Sequence, residues 1–266
     1  IMRQFNDTLS HMMFDVKDCN GLVLCNKFLP VEVLTKIFSY VDYKTMLNCL
    51  LVCKHWQMLI YYVWYTKINQ IMDKPFPLDD NMPWSVLYLT CKKKPYGRNL
   101  LKNHSGAEGI GHWTGLNWFI KTNNYPCKVK RSFCLTESEN VQYNPRTQNI
   151  DLKEEGIHPY IIDIYRPTIQ VSEWINCRAD SSSVSYKLTV ELIDIHNKQV
   201  EKFYTSYDIK KEEQNKWLQF SHTFEGYGVG VRKISFKYGE LKGLKMSRTC
   251  VSVKIPEKAF VLSKAT

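Results

Sequence analysis

The stretch that decides the fold of the amino-terminal part is residues 29–41, which read Leu-Pro-Val-Glu-Val-Leu-Thr-Lys-Ile-Phe-Ser-Tyr-Val. Apolar side chains recur in it at intervals of three and four, which is the spacing of one face of an α-helix. Pro30 stands where the first turn of a helix tolerates a residue without a backbone N–H. The stretch therefore predicts a helix that begins at or just after Pro30.

The same spacing resumes after a break at residues 42–44. It predicts two more short helices, so that residues 29–70 form a three-helix bundle without a glycine. So small a bundle buries little apolar surface, and its apolar positions exceed what one core can cover. We therefore expect a partner or a neighbouring domain to cover the surplus. The residues of the resumed pattern are Met46, Leu47, Leu50, Leu51, Cys53, Trp56, Leu59, Ile60, Val63 and Trp64.

Residues 72–102 join this bundle to the rest of the chain. Pro75, Pro77, Asp79 and Asp80 within residues 71–81 are typical of a linker. Residues 84–101 predict one more helix, which the Lys-Lys-Lys-Pro-Tyr-Gly sequence of residues 92–97 interrupts.

The pattern changes its period beyond residue 103. Tyr186, Leu188, Val190 and Leu192 alternate with polar residues, which is typical of a half-buried strand. Six to ten short strands separated by Asn, Asp, Ser and Gly turns predict an antiparallel β-sandwich or jelly roll. The fold class is therefore α+β and multidomain, with a short helical bundle followed by the sandwich. The other strands are predicted at residues 161–162, 169–171, 217–224, 231–238 and 251–255.

Composition and charge exclude several classes of protein. The chain has 266 residues, a net charge of +10, and a 44% hydrophobic share, which is enough for real cores and for about two domains. No apolar run reaches the ~18 residues of a membrane helix, so we expect no membrane insertion. The basic clusters at residues 92–94, 128–131 and 210–211 lie far apart and lack interleaved aromatic residues. They predict a solvated surface and no nucleic-acid partner.

Cysteine usage indicates a reducing compartment. Nine cysteines, an odd number at irregular spacing, do not form the pattern of a disulfide framework, and residues before Phe28 lack the features of a signal peptide. We expect a cytoplasmic protein. Cys49, Cys53 and His55 lack a second ligand pair at zinc-finger distance, so a buried apolar role is favoured and no metal or cofactor is expected. Ile1 precedes Met2, so further sequence upstream is also expected.

No motif predicts catalysis by this chain. The glycines of residues 106–111 and 226–230 do not stand between a strand and a helix, and no Gly-Lys-Ser/Thr follows them. Turn glycines explain both segments. The seven histidines occur singly, and His222 lies within a predicted strand between aromatic neighbours, which favours a structural role. We expect no catalytic residues and a protein that is not an enzyme.

Residues 29–64 resemble an F-box: the Leu-Pro-x-Glu-Val-Leu-x-x-Ile-Phe start is followed by Leu-Val-Cys-Lys-x-Trp at residues 51–56. The second half resembles the F-box-associated domain of the sugar-recognising F-box-only proteins. The segments that support this resemblance occur in the same order as in the family. Among them are Gln-Asn-Ile-Asp-Leu at residues 148–152 and Pro-Thr-Ile-Gln-Val-Ser-Glu-Trp at residues 167–174. Two others are Cys-Arg-Ala-Asp at residues 177–180 and Gly-Tyr-Gly-Val-Gly-Val-Arg at residues 226–232.

The resemblance implies a galactose-binding-like jelly roll and a role without bond chemistry. It implies a substrate-recognition subunit of a cullin–RING (Skp–cullin–F-box) ubiquitin ligase, whose helices bind the Skp-type adaptor while the sandwich tethers a protein target. Its partners would be that adaptor, the cullin and a protein substrate that is glycosylated or not. Intramodule packing is the alternative role of the apolar residues. The implied adaptor-binding residues are Leu29, Pro30, Val33, Ile37, Leu47, Leu50, Cys53 and Trp56.

The sugar pocket of the family is only partly matched. Asp180, Lys242 and Gly243 match its polar residues, but Glu240 and Leu241 stand where the family carries an aromatic pair that stacks on the N-glycan core. Because leucine offers no electron-rich plane, we expect a degenerate pocket and a target feature other than the glycan core. Phe133 and Tyr143 are candidates for a further aromatic contact.

Three alternatives stay open. One is an F-box lectin that recognises the N-glycan chitobiose core of misfolded glycoproteins in ER-associated degradation. The others are an F-box protein that works outside degradation and a β-sandwich lectin whose helical head binds another partner. The predicted division is an extension (1–26), the F-box (27–71), the linker and helix (72–102), the sandwich (103–257) and a tail (258–266).

Overall fold

The computed structural model describes residues 21–72, 74–105, 107–109, 111–115, 118–122, 131–135, 146–177, 184–239 and 244–255. The chain divides into two compact units, a helical unit (Ile1–Lys94) and a β unit (Pro95–Thr266). Helices precede antiparallel sheets, so the predicted α+β, multidomain fold class is confirmed. None of the described helices is long and apolar enough to cross a membrane.

The helical unit opens with a hairpin of two very short strands, which was not predicted because two residues per strand leave no periodic signal. The three helices predicted between residues 29 and 70 are confirmed. The fourth begins at residue 84 as predicted but ends at Lys93, because Lys94 adopts a left-handed conformation with φ of 47°. The elements are β1 (Val23–Leu24), β2 (Lys27–Phe28), α1 (Val31–Tyr40), α2 (Tyr43–Cys49), α3 (Lys54–Gln70) and α4 (Trp84–Lys93).

The break in the apolar pattern at residues 42–44 is the start of α2. The Asp42 carboxylate accepts hydrogen bonds from the backbone N–H groups of Lys44 and Thr45, each at 3.0 Å, and from the Thr45 hydroxyl at 2.6 Å. These bonds satisfy donors that the first helical turn leaves unpaired. They also lower the pKa of Asp42 below its ordinary value, because they favour the charged carboxylate.

Helix α4 is part of the helical unit rather than of a linker. Trp64 of α3 is completely buried, and its ring stacks on Trp84 of α4 with 6.1 Å between centroids. The Tyr43 hydroxyl of α2 donates a hydrogen bond to the carbonyl of Cys91 near the end of α4. The remainder of the predicted linker, residues 95–102, lies in the β unit, where Gly97 hydrogen-bonds to the strand that ends at Val253.

The β unit is a sandwich of two antiparallel sheets. The four-stranded sheet has the order β5-β10-β7-β8, and the five-stranded sheet has the order β3-β4-β11-β6-β9. The strands are β3 (Trp118–Thr122), β4 (Arg131–Leu135), β5 (Arg146–Asp151), β6 (Ile169–Cys177), β7 (Val184–Asp194), β8 (Gln199–Ile209), β9 (Leu218–Phe224), β10 (Val231–Gly239) and β11 (Leu244–Val253).

The core of the sandwich lies between the inner faces of the sheets. The predicted alternation in β7 is confirmed, because Tyr186, Leu188, Val190 and Leu192 are all at most 1% exposed. The strands predicted at residues 169–171, 217–224, 231–238 and 251–255 fall on β6, β9, β10 and β11. Because successive side chains of a strand point to opposite faces of the sheet, every second side chain lies in the core.

The strand predicted at residues 161–162 was wrong. Ile161–Tyr165 form a single π-helical turn, which ends where Arg166 adopts φ of 45° and its N–H bonds to the Ile161 carbonyl at 3.2 Å. Both isoleucines are buried, and periodicity does not separate so short a buried run from a strand. Asp163 anchors the turn to β10 through an ion pair with Arg232 at 2.6 Å.

Candidate functional site

Helix α1 presents two different apolar faces. Leu34 and Phe38 are buried in the helical unit, at 1% and 2% exposure. Val33, Ile37 and Tyr40 lie on the other side and are 44%, 43% and 78% exposed. Their spacing of four and three places all three side chains on one helix face. An apolar helix face left in solvent is typical of a protein-interaction surface.

The turn between α2 and α3 exposes two more large apolar side chains. Leu50 points into the bundle and is 8% exposed, whereas Leu51 is 84% and Val52 is 59% exposed. Backbone hydrogen bonds from Leu51 to Asn48 and from Val52 to Cys49 hold the turn. We call Val33, Ile37, Tyr40, Leu51 and Val52 the exposed apolar set.

Trp56 and Cys53 contribute to the interior of the helical unit. The Trp56 indole N–H donates to the Gly21 carbonyl at 2.6 Å, and its ring meets Phe38 edge-on at 5.0 Å. The Cys53 sulfur accepts from the Trp56 backbone N–H at the start of α3. Gly21 has φ of +84°, and a Cβ there would lie 2.6 Å from the Cys53 sulfur. These contacts dock the amino-terminal hairpin on α3.

The eight predicted adaptor-binding residues thus differ in exposure. Leu50 offers almost no surface, because it fills the bundle. The sequence-based prediction of adaptor-binding residues omitted Tyr40, Leu51 and Val52. Tyr40 continues the helical spacing of Val33 and Ile37. Of the three successive apolar residues 50–52, only one is able to face the interior of the bundle. Pro30, Val33 and Ile37 are exposed, and Leu29, Leu47, Cys53 and Trp56 are half-buried.

Exposed lysines lie on α1 and on the two helices that flank the turn at Leu51 and Val52. Lys36 of α1, Lys44 of α2 and Lys54 at the start of α3 are all exposed. The Lys36 ammonium lies 5.1 Å from the centre of the Tyr40 ring, within cation–π range. Glu32 and Asp42 are exposed as well, so residues 31–54 carry three exposed lysines and two exposed carboxylates, a small positive excess that favours a partner with acidic residues.

Strand termini from both sheets meet at one end of the sandwich, which we call the loop end. Gly239 at the end of β10 pairs with Lys187 near the start of β7, and Leu244 at the start of β11 pairs with Cys177 at the end of β6. Val184, the first residue of β7, pairs with Ile209 at the end of β8. The connections 178–183, 210–217 and 240–243 therefore all join strands at the loop end.

The described connection at the loop end, residues 210–217, is held by its own hydrogen bonds. The Asn215 backbone N–H donates to the Cys177 carbonyl at 2.9 Å. The Tyr207 hydroxyl donates to the Glu213 carboxylate at 2.7 Å, and that carboxylate also accepts from the Lys210 backbone. The tyrosine hydrogen bond lowers the pKa of Glu213 and raises that of Tyr207.

The predicted pocket residues belong to the other connections of the loop end. Asp180, Glu240, Leu241 and Lys242 lie outside the described residues, and so does Tyr143. The backbone of Phe133 is described and pairs with Met246 of β11. The described residues that flank the segments carrying Asp180 and Lys242 lie at the same end of the sandwich.

A group of polar side chains lies inside the sandwich, between its middle and the loop end. We call Arg146, Glu173, Tyr186, Tyr238 and Thr249 the core polar cluster. Glu173 accepts from the Tyr186 hydroxyl at 2.7 Å and from the Thr249 hydroxyl at 3.0 Å. Arg146 donates to the Tyr238 hydroxyl, and its guanidinium lies 3.7 Å from the centre of the Trp113 ring. All five members are at most 1% exposed.

Burial dominates the electrostatics of this cluster. It raises the pKa of Glu173 to about 7, against the opposing effects of the Tyr186 and Thr249 hydrogen bonds and of the Arg146 charge. Burial also lowers the pKa of Arg146 to about 10 and raises that of Tyr238. The Glu173 carboxyl therefore changes its charge near neutral pH.

Cys91, Cys177 and His222 have packing roles in the described part of the chain. No group of three or more His, Cys, Asp or Glu residues there is arranged to hold a metal ion. Burial raises the pKa of the free thiols of Cys91 and Cys177, which disfavours the reactive thiolate. The His222 ring stacks on Phe203 at 4.0 Å between centroids, and burial lowers its pKa.

The chain is similar to known proteins over both of its units. Residues 27–70 match the F-box-like family, and residues 91–256 match the F-box associated region. F-box only protein 6 of Mus musculus is 32% identical over 228 residues, which cover 79% of this chain and 75% of that protein. F-box only protein 44 of Homo sapiens is 29% identical and covers 79% of this chain and 86% of that protein.

Among solved structures, the carboxyl-terminal family 22 carbohydrate binding module of Clostridium thermocellum Xyn10B matches with a TM-score of 0.41 and 10% identity. That match covers 62% of this chain and 100% of the module. The CBM22-1 xylan-binding domain of Paenibacillus barcinonensis Xyn10C matches with a TM-score of 0.38 and 14% identity, over 60% of this chain and 94% of that domain.

The sequence matches follow the division into units: the F-box lies within the helical unit, and the associated region covers nearly all of the described β unit. The resemblance noted in the sequence is confirmed. This chain belongs to the family of F-box only proteins that carry an F-box associated region.

Proposed function

We propose that this chain is a substrate-recognition subunit of a Skp–cullin–F-box ubiquitin ligase in the cytoplasm. The observation that carries the proposal is the exposed apolar set on a helical unit that matches the F-box. Such a subunit performs no bond chemistry of its own. It raises the effective concentration of a bound target beside the ubiquitin-transfer machinery.

The Skp-type adaptor is the proposed partner of the exposed apolar set. Val33 and Ile37 on α1, together with Leu51 and Val52 after α2, offer large side chains whose burial stabilises a complex by about 25 cal/mol per Å². Pro30 and Leu29 lie at the start of the same helix. Lysines around the set support an adaptor surface with acidic residues at its rim.

The loop end of the sandwich is the proposed target-binding site. The segments that carry Asp180 and Lys242 join described strand termini there. Because the short 239–243 segment lacks the aromatic pair of the glycan-binding relatives, we propose that the target is recognised through a protein feature other than the N-glycan core.

Recognition of the chitobiose core of N-glycans, as in ER-associated degradation, is the second candidate. The retention of Asp180, Lys242 and Gly243 favours it, since polar residues of this kind bind sugar hydroxyl and amide groups. Retention of the chain on chitobiose resin that is lost in an Asp180→Ala variant would establish this candidate and overturn the first.

The adaptor contact is tested by charge insertion into the exposed apolar set. The purified full chain and the double variant Val33→Asp/Ile37→Asp are titrated with the Skp-type adaptor. We expect at least tenfold weaker binding of the variant, because each change places a carboxylate in a contact that binding desolvates. The control is Ile195→Asp/Val229→Asp, which inserts the same charges at apolar residues of the β unit that are 70% and 56% exposed.

Equal adaptor binding by the two double variants would contradict the proposed contact. Target tethering is tested in cells with the same variants. A full chain with Val33→Asp/Ile37→Asp retains its sandwich, so its targets bind without being ubiquitinated and accumulate. If no protein accumulates relative to the control variant, the proposed ligase role is wrong.

A further inference from the structure

Burying the core polar cluster costs more free energy than burying apolar side chains in its place. Its five members occupy inward positions of strands whose other inward residues, apart from Gln148 of β5 and Cys177 of β6, are Ile, Val, Leu, Phe and Met. Burying an ionised group costs several kcal/mol even after partial compensation, and an apolar side chain of similar volume is often no less stable. The cluster therefore calls for an explanation other than packing.

The location of the cluster provides one. Its members come from five strands, β5, β6, β7, β10 and β11, and they connect the two sheets across the core. Tyr186 lies two residues after Val184, the start of β7, and Tyr238 immediately precedes Gly239, the end of β10. Glu173 is the middle residue of β6, four residues, or about 13 Å, from Cys177 at the loop end and equally far from Ile169 at the other end. The cluster is thus bonded to the strands that bound segments 178–183 and 240–243.

We propose that the core polar cluster is a positioning device that fixes the loop-end termini of β7 and β10 relative to the middle of β6. The inference rests on the proposed function, because the loop end is the site assigned to the target. Hydrogen bonds specify the relative position of strands more narrowly than apolar contacts, since they depend on distance and direction. Glu173 is its centre, because it accepts from both sheets.

The charge of Glu173 controls the direction of these hydrogen bonds. An ionised carboxylate accepts from both the Tyr186 and the Thr249 hydroxyl but leaves a charge in the core, whereas a neutral carboxyl keeps both bonds by donating one to a hydroxyl oxygen and accepting the other. The described titratable groups that face Glu173 are Arg146 of β5, Tyr186 of β7 and Tyr238 of β10. Thr249 of β11 completes its hydrogen bonds, and Phe220, its neighbour on β9, carries no charge. Because the pKa of Glu173 is about 7, the loop end becomes sensitive to pH near neutrality.

Amide hydrogen exchange on the full chain tests the proposal. Protection factors, which are corrected for the intrinsic rate at each pH, are measured between pH 5 and pH 8. Peptides that cover Cys177, Val184, Gly239 and Leu244 report on the loop end. The β7–β8 and β9–β10 turns report on the opposite end. In the wild-type chain we expect loop-end protection to fall about fivefold as the pH rises, since ionised Glu173 is disfavoured in the core, with a smaller fall at the opposite end.

The variants separate positioning from bulk stability. Glu173→Gln keeps the size of the side chain and should abolish the pH dependence. Tyr186→Phe should lower protection at the loop end about fivefold at every pH. Tyr227→Phe is the matched control, because it removes a buried hydroxyl that donates to the Pro167 carbonyl at 2.8 Å at the opposite end. It should leave loop-end protection unchanged.

Either of two results overturns the proposal: a pH dependence that persists in Glu173→Gln, or a loss of protection that is the same at both ends in Tyr186→Phe and Tyr227→Phe. If Glu173→Gln fails to fold, Thr249→Val removes one donor to Glu173 at constant volume and should weaken loop-end protection alone. Adaptor binding and target accumulation test the proposed function separately, so a failure of one account is distinguishable from a failure of the other.

Discussion

Glu173 makes the stability of the β unit depend on pH. Its pKa is about 7 in the folded chain, compared with an ordinary value of 4.5. The folded state therefore keeps a proton that the unfolded chain releases above pH 4.5, so the stabilising effect is present at low pH and lost as the pH rises. We predict that the free energy of unfolding falls by up to about 3 kcal/mol between pH 4.5 and pH 7 through this group.

Urea denaturation of the wild-type chain and of Glu173→Gln at several pH values measures this effect. The difference between the two proteins isolates Glu173, because every other group titrates in both. The wild-type chain should lose stability relative to the variant as the pH rises to about 7, and the difference should then stay constant. A difference that does not vary with pH would show that Glu173 titrates as an ordinary carboxyl.

Position 21 requires glycine for two reasons: its backbone has a positive φ, and neighbouring side chains leave no room for a Cβ. Its φ of +84° disfavours other residues, and a Cβ would meet the Cys53 sulfur at 2.6 Å and Trp56 at 2.9 Å. We predict that Gly21→Ala displaces the hairpin and increases proteolysis of residues 21–28. Gly97→Ala is the control, since φ there is +73° with nothing within 4 Å of a Cβ, and should cost only about 1 kcal/mol. Equal proteolysis of the hairpin in wild-type and Gly21→Ala chains would contradict the described docking.

At the scale of elements, the orientation of α1 decides which residues stabilise the fold and which are available to a partner. Leu34 is 1% exposed, whereas its neighbour Val33 is 44% exposed. We predict that Leu34→Ala destabilises the helical unit by about 2–5 kcal/mol, and that Val33→Ala changes stability by less than about 0.5 kcal/mol. Chemical denaturation followed by tryptophan fluorescence measures both. Equal destabilisation by the two changes would mean that α1 does not bury Leu34 while exposing Val33.

Long, strongly periodic elements could be predicted from the sequence, and short ones could not. The helices between residues 29 and 70 and strand β7 have enough turns or alternations to define one face. The π-helical turn at Ile161–Tyr165 was mistaken for a strand, because two buried isoleucines fit either structure. The hairpin β1–β2 depends on the Trp56 bond to Gly21, a contact 35 residues apart that no local pattern records.

At the scale of the whole molecule, charge should govern the rate at which this chain associates with the Skp-type adaptor. The chain has a net charge of +10, and exposed Lys36, Lys44 and Lys54 accompany the exposed apolar set. We predict that the association rate with the adaptor falls at least tenfold between low and 0.5 M salt, because salt screens long-range attraction. Lys36→Glu/Lys54→Glu should slow association at low salt and flatten the salt dependence, as stopped-flow fluorescence would measure. An association rate independent of salt would exclude an acidic partner surface.

The candidate site could be predicted in part. The family resemblance indicated the F-box helices, but helical spacing alone did not separate Leu50, which fills the bundle, from Leu51 and Val52, which face solvent. That separation depends on how the chain turns after α2, which is a tertiary property. The core polar cluster was not predicted, because Arg146, Glu173 and Tyr186 come together only when the two sheets pack.

The central claim is that a second polypeptide covers the exposed apolar set of the helical unit. Isothermal titration calorimetry of the purified full chain with the Skp-type adaptor at several temperatures tests it most directly. We predict one adaptor per chain and a negative heat-capacity change, which is the signature of apolar burial on binding. The absence of binding, or binding without a heat-capacity change, would contradict the claim.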